Sequence, residues 1–242
     1  MEELVTQLKK FYFNLFLLWL FISMTAFGYS LNDLKMAVGE RDQKKVLEIL
    51  ESLDFKSVSL DFQCEIAFAY TEIYVWGNGN VKKYQKLAHE YAKYLLEKAP
   101  SYWKTHYVVA MVLSHYVQRN VFLALVYANK IFYHAEKAVE YGDNQYLTHL
   151  LYGVLNLETP FGDLNKAGYH LKKALSLNPK HVYTYVELGK YYEKLGKYEK
   201  ALEMYKKALE VEGEKNWKYI NIEGREEATK RILEVEKRCT EK

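Results

Sequence analysis

Apolar and polar residues are distributed along this chain in two ways. Residues 11–28 (FYFNLFLLWLFISMTAFG) form one apolar run, interrupted only by Asn14, Ser23 and Thr25. Beyond it, apolar residues recur at three- and four-residue intervals, the spacing that places them on one face of a helix. The intervals predict a short helical pair over 31–38 and 42–53 around Gly39, then a longer pair over 61–76 and 81–98. Gly77-Asn78-Gly79-Asn80 joins the longer pair, and both residue types favour turns. A helix over 102–117 follows the break at Pro100 and puts Ala110 at a small position. The next, over 121–141, carries Ala124, Ala128, Ala135 and Ala138. Near the C-terminus Ala228, Ile232, Val235 and Cys239 make one apolar stripe on an otherwise charged helix. No segment alternates long enough to predict a strand. The pattern is that of an all-α chain.

The run at 11–28 has the features of a targeting segment. Lys9 and Lys10 stand before it, and Ala26 and Gly28 supply the small residues of a cleavage site between Gly28 and Tyr29. Glu2 and Glu3 offset the two lysines, and the run approaches the roughly 20 residues of a spanning helix. It is expected to be a cleaved signal peptide or an uncleaved membrane anchor. Either places residues 29–242 outside the cytosol, periplasmic or secreted, with the membrane touched only through 11–28. No cysteine follows the run to carry a lipoprotein anchor.

The C-terminal half repeats itself. In residues 182–215, Tyr185, Leu188, Gly189, Tyr192, Ala201, Tyr205 and Ala208 stand at fixed offsets, with Gly213 at the closing turn. Gly189 and Ala201 are small, which lets two helices approach closely. Tyr185, Leu188, Tyr192, Tyr205 and Leu209 fill the space between neighbours. One step back, in 148–181, Gly162, Ala167, Leu171, Ala174 and Pro179 align with Gly196, Ala201, Tyr205, Ala208 and Gly213. The first helix of that unit fits less well: Gly153 stands two positions early, and Pro160 lies in an extended loop.

These offsets resemble the tetratricopeptide repeat (TPR) family. The resemblance implies a right-handed helical solenoid of about four pairs with capping helices at both ends. It makes 29–242 one domain, because a single pair cannot bury both faces. A narrower likeness rests on the leader, the long early repeats, and TPFGD followed by LNKAGYHLKKALSLNP. That order resembles the TPR component associated with TRAP transporters. It implies a periplasmic helper of solute uptake that partners a solute-binding protein and can hold ligands in a pore.

Composition narrows the function classes. Half the residues are hydrophobic against 27% charged, enough apolar surface to exclude a disordered chain. A net charge of +3 is too mild to point to nucleic acid. Cys64 and Cys239 are expected to be buried, at opposite ends of the solenoid and too far apart to bridge. None of the seven histidines pairs with another at the spacing of a helical zinc site, and His134 is expected on a solvated face. No nucleophile, base and orienting group stand together, so the expectation is a non-catalytic protein without cofactor. Most of the 23 tyrosines are expected to be half-buried, each packing its ring while the hydroxyl finds a partner or water. The resemblance to TPR solenoids implies that first helices line a concave face, which makes the expected groove residues Lys104, Tyr107, Met111 and His115, then His149, Tyr152 and Asn156, then Tyr183, Val186 and Lys190. Aromatic rings with polar tips suit a protein partner or, alternatively, an amphipathic small ligand.

Overall fold

The computed structural model describes residues 28–118 and 120–240. The chain divides into two units, 1–30 and 31–242. The predicted leader lies outside the described residues except for Gly28, and the second unit carries the fold. Its helices are α1 (Leu31–Gly39), α2 (Gln43–Ser52), α3 (Leu60–Trp76), α4 (Val81–Lys98), α5 (Trp103–Val117), α6 (Val121–Tyr141), α7 (Tyr146–Glu158), α8 (Leu164–Leu177), α9 (Val182–Lys194), α10 (Tyr198–Glu210) and α11 (Lys218–Thr240). A 3₁₀ turn at Lys215–Trp217 precedes α11. No helix among the described residues is long and apolar enough to cross a membrane.

Four pairs stack in order: α3/α4, α5/α6, α7/α8 and α9/α10. Each first helix packs on the first helix of the next pair, and each second helix packs on it too. This is the TPR-like solenoid that the repeat implies. Helix starts are fixed by side-chain caps. Ser59 accepts from the Phe62 amide, Asn120 from Leu123, and Asp163 from both Asn165 and Lys166. Each cap satisfies a donor left over at a helix N-terminus.

Two positions of the first helices explain the pairing. The eighth residue is small and buried in all four: Ala67, Ala110, Gly153 and Gly189. A Cβ on Gly189 would come within 2.3 Å of the Tyr205 ring, and one on Gly153 within 2.9 Å of the Leu171 side chain. The second helix leaves no room for a larger residue. Gly153 is therefore in register; the loop 159–163 is two residues longer than its counterpart 195–197, which displaces the α7 pattern in sequence but not in space.

The fourth residue is polar and ties the preceding loop to the helix. Gln63 Nε2 donates to the Phe55 carbonyl at 2.9 Å, and the Tyr185 hydroxyl to the Pro179 carbonyl at 3.0 Å. His106 Nε2 and His149 Nε2 reach the carbonyls of Pro100 and Asp143 at 2.8 and 2.9 Å.

At the C-terminal end Ala228 and Val235 are fully buried against α9 and α10, with Ile232 beside them. Helix α11 thus caps the stack, as its apolar stripe predicts. Cys239 does not join that stripe; it is exposed. Cys64 is buried, and burial pushes its thiol up to about 12. That makes it an inert, small apolar group rather than a nucleophile.

Candidate binding groove

The inner face of the solenoid is built from the second, fifth and ninth residues of the first helices. On α5 these are Lys104, Tyr107 and Met111, with His115 one turn further; on α9 they are Tyr183, Val186 and Lys190. Lys104 is buried, and its ammonium lies 3.1 Å from Glu65 and 3.3 Å from Asp61, both on α3. Burial pulls the Lys104 pKa down, but Glu65 and Asp61 outweigh it and raise the value. Asp61 is held below the usual carboxylate range despite its own burial, by a 2.8 Å hydrogen bond from Tyr102 and by Lys104. Tyr107 is 7% exposed, and burial raises its pKa. Met111 and His115 are half-buried. Across from His115, burial raises the pKa of Glu72, and the imidazole partly offsets this. On α9, Val186 is fully buried, while Lys190 donates to Glu187 at 2.8 Å and sits over the Tyr183 ring. Burial raises Glu187 and Tyr183.

The middle group of expected groove residues lies elsewhere. His149, Tyr152 and Asn156 face α8, because the two extra residues of loop 159–163 lengthen this repeat and put a 34-residue step two positions past the groove positions of α7. Asn156 Nδ2 donates to the Tyr152 carbonyl, and its Oδ1 accepts from the Asp163 amide at 3.1 Å, bracing that loop. Tyr152 accepts from Lys166 at 3.4 Å. Helix α7 gives the groove Leu147 instead.

His149 belongs to a repeated device that the sequence reading missed. Its Nδ1 lies 2.8 Å from His170 Nδ1 on α8, and His106 Nδ1 lies 2.9 Å from His134 Nδ1 on α6. His134 is buried, not solvated. With Nε2–H of His106 and His149 donated to loop carbonyls, each Nδ1 is left to accept from the partner's Nδ1–H. Burial, followed by repulsion from the partner ring, pushes His134 and His170 down to about 4.

The groove is occupied by the chain itself. After Gly213, whose φ of +81° turns the chain, residues 214–224 run across it. Trp217 packs edge-on to Phe68 of α3 and to His181, and its Nε1 donates to the Tyr146 hydroxyl of α7 at 2.9 Å. Glu214 accepts from Asn178 at 2.8 Å and from Tyr146 at 3.3 Å. The segment then meets α1. A Cβ on Gly39 would fall 2.0 Å from the Asn216 carbonyl, so only glycine permits this contact. Arg41 pairs with both oxygens of Glu223 at 2.6 and 2.7 Å and stacks over Tyr219. Beneath the segment remains a cavity of about 440 Å³ between α1, α3, α5 and α7. Among the described residues no group of His, Cys, Asp and Glu has the geometry of a metal site.

Comparison with known proteins agrees with this architecture. Residues 182–214 match the tetratricopeptide repeat family. The structure of TTC0263, a thermophilic TPR protein of Thermus thermophilus, is similar with a TM-score of 0.62 at 18% identity, over 82% of this chain and 97% of that one. YrrB, a TPR protein with an unusual peptide-binding site, gives a TM-score of 0.45 at 18% identity, over 75% of this chain and 84% of that one. MamA of MSR-1 gives 0.44 at 19% identity, over 75% and 94%. No curated protein sequence matches the chain. The first of these likenesses shows the fold, and none supports the narrower resemblance to a transporter-associated component.

Proposed function

We propose that this protein is a non-catalytic scaffold that holds a segment of a protein partner along the inner face of its TPR-like solenoid. One observation carries the reading: the groove already holds a polypeptide, its own residues 214–224, through a tryptophan set among rings. Aromatic anchors in desolvated pockets are the usual centres of binding energy in protein recognition. The groove residues take the matching roles. Phe68 and Tyr146 receive an aromatic anchor, while Tyr183, Lys190 and His115 lie along the stretch beyond it. A partner segment competes with the internal one for the same place, so binding requires the C-terminal segment to lift.

The test uses the chain's own segment as probe. A labelled peptide of residues 212–222 (EGEKNWKYINI) is titrated against the Trp217→Ala variant and the parent, with fluorescence anisotropy as readout. The variant, whose internal anchor is gone, should bind it at least tenfold more tightly. Equal binding by both proteins, or none by a folded variant, refutes the groove as a polypeptide site. The leader at 11–28 supports placing this scaffold outside the cytosol, where a solute-binding protein would be one such partner.

A further inference from the structure

We propose that the cavity beneath residues 214–217 is a binding site for a small organic cation, an amine attached to an apolar body about one ring in size. This goes beyond the polypeptide reading and does not depend on it. The cavity is complete while residues 214–217 lie over the groove, because Glu214 and Trp217 are part of its lining together with α1, α3, α5 and α7.

Size, walls and charge point to the same ligand class. A volume of about 440 Å³ falls within the range of small-molecule sites. Phe68, Trp103, Tyr107 and Trp217 give the walls aromatic faces, whose quadrupoles attract a cation and repel an anion. The lining carboxylates are Asp61, Glu65 and Glu214, and the lining ammonium groups are Lys35 and Lys104. One negative charge is therefore in excess. Lys104 does not recruit an anion, because its ammonium is committed to Glu65 and Asp61.

The second observation is the Tyr107 hydroxyl. Tyr107 is 93% buried and lines the cavity; its hydroxyl makes no hydrogen bond to another described residue and is accessible from the cavity rather than enclosed. An accessible hydroxyl oxygen accepts from whatever enters the cavity, and an ammonium N–H makes a stronger, charge-assisted bond to it than a neutral donor does. An ammonium offered to the Tyr107 oxygen, close to Glu65, satisfies both the hydroxyl and the excess charge. A neutral hydrocarbon satisfies neither, and a carboxylate adds to the repulsion.

The protein carries its own reporter. Trp103 and Trp217 line the cavity and Trp76 does not, so tryptophan emission reads occupancy. The full chain is titrated with 2-phenylethylamine, benzyltrimethylammonium and the equally sized anion 3-phenylpropionate. The amine should give a saturable change, with the anion at least tenfold weaker. Tyr107→Phe, which keeps the ring, should weaken the amine about fivefold and leave benzyltrimethylammonium, which has no N–H, nearly unaffected. Glu65→Gln should weaken both cations at least tenfold, and Trp76→Phe should weaken neither. If Glu65→Gln fails to fold, Tyr107→Phe still decides. The proposal is overturned if no cation gives a saturable signal, if 3-phenylpropionate binds as well as the amine, or if a folded Tyr107→Phe binds the amine like the parent. Those outcomes leave the peptide experiment above untouched.

Discussion

Lowering the pH from 7 to 5 should destabilise this domain through three histidines held neutral in its packing. Burial pushes His181 down to about 4, and His134 and His170 to about 4 with help from their ring partners. In the unfolded chain each titrates near 6.5. The unfolded state therefore binds more protons between about pH 6.5 and 4, so the stability present above that window is lost as the pH falls through it. For His181, 3% exposed, the difference at pH 5 comes to about 2 kcal/mol. His170 is only partly buried, and the shifts of His134 and His170 depend in part on their ring partners, so each is taken at about 1 kcal/mol. Glu72 and the buried Glu187 work in the opposite sense, since desolvation raises their values and protonation in the fold adds stability as the pH falls. A comparison of parent and variant cancels them. His181→Asn keeps a capping residue at the start of α9, and His134→Gln with His170→Gln keep donors for His106 and His149. Urea unfolding followed by circular dichroism at pH 7.5, 6 and 5 gives the free energies. The triple variant should be the less stable protein at pH 7.5 and should gain about 3–4 kcal/mol on the parent by pH 5. Parallel curves for the two proteins across that range would refute the neutral, hydrogen-bonded state of these rings.

Two further outcomes follow from the packing and the leader. Gly189→Ala should lower stability by about 1–3 kcal/mol, because its Cβ would meet the Tyr205 ring at 2.3 Å. Lys207→Ala, losing only an exposed pair with Glu203, should barely move the melting temperature, and equal melting temperatures for the two variants would contradict the register of α9. A chain beginning at Tyr29 should fold cooperatively with an unchanged urea midpoint, and phosphatase fused after residue 28 should be active outside the cytosol; an inactive fusion removes the export reading.

The fold was largely legible because it rests on spacing. The Gly189, Ala201, Tyr205 and Ala208 offsets encode the α9/α10 contact directly, and helix limits such as 121–141 follow from apolar periodicity. Where counting failed, a loop changed length. Stepping back by a fixed repeat across 159–163 carried the groove positions onto His149, Tyr152 and Asn156, although the small Gly153 marked the true register. The histidine pairs were missed for a different reason. A search for ligand spacing within one helix does not see His106 and His134, or His149 and His170, which meet between helices. The signal that was present is a polar residue at the fourth position of every first helix. The C-terminal segment left little trace. Nothing local in GEKNWKYIN says that Trp217 crosses the groove, since its partners Phe68, Tyr146 and His181 lie far back in the chain.

The meeting of α1 with residues 216–223 changes how such an array should come apart. An open solenoid is close to one-dimensional: each repeat touches only its neighbours, so its ends fray and unfolding spreads inward. Here the first helix is held by the last segment, through Gly39 against Asn216 and Arg41 against Glu223. No terminal repeat is then free to fray alone, and the stack behaves as a closed chain of dependencies that yields in one cooperative step. Closing that contact joins residues some 180 positions apart, an entropic cost met late in folding, after local pairs have formed. During synthesis α1 waits for this contact until 182 residues beyond Arg41 have been made.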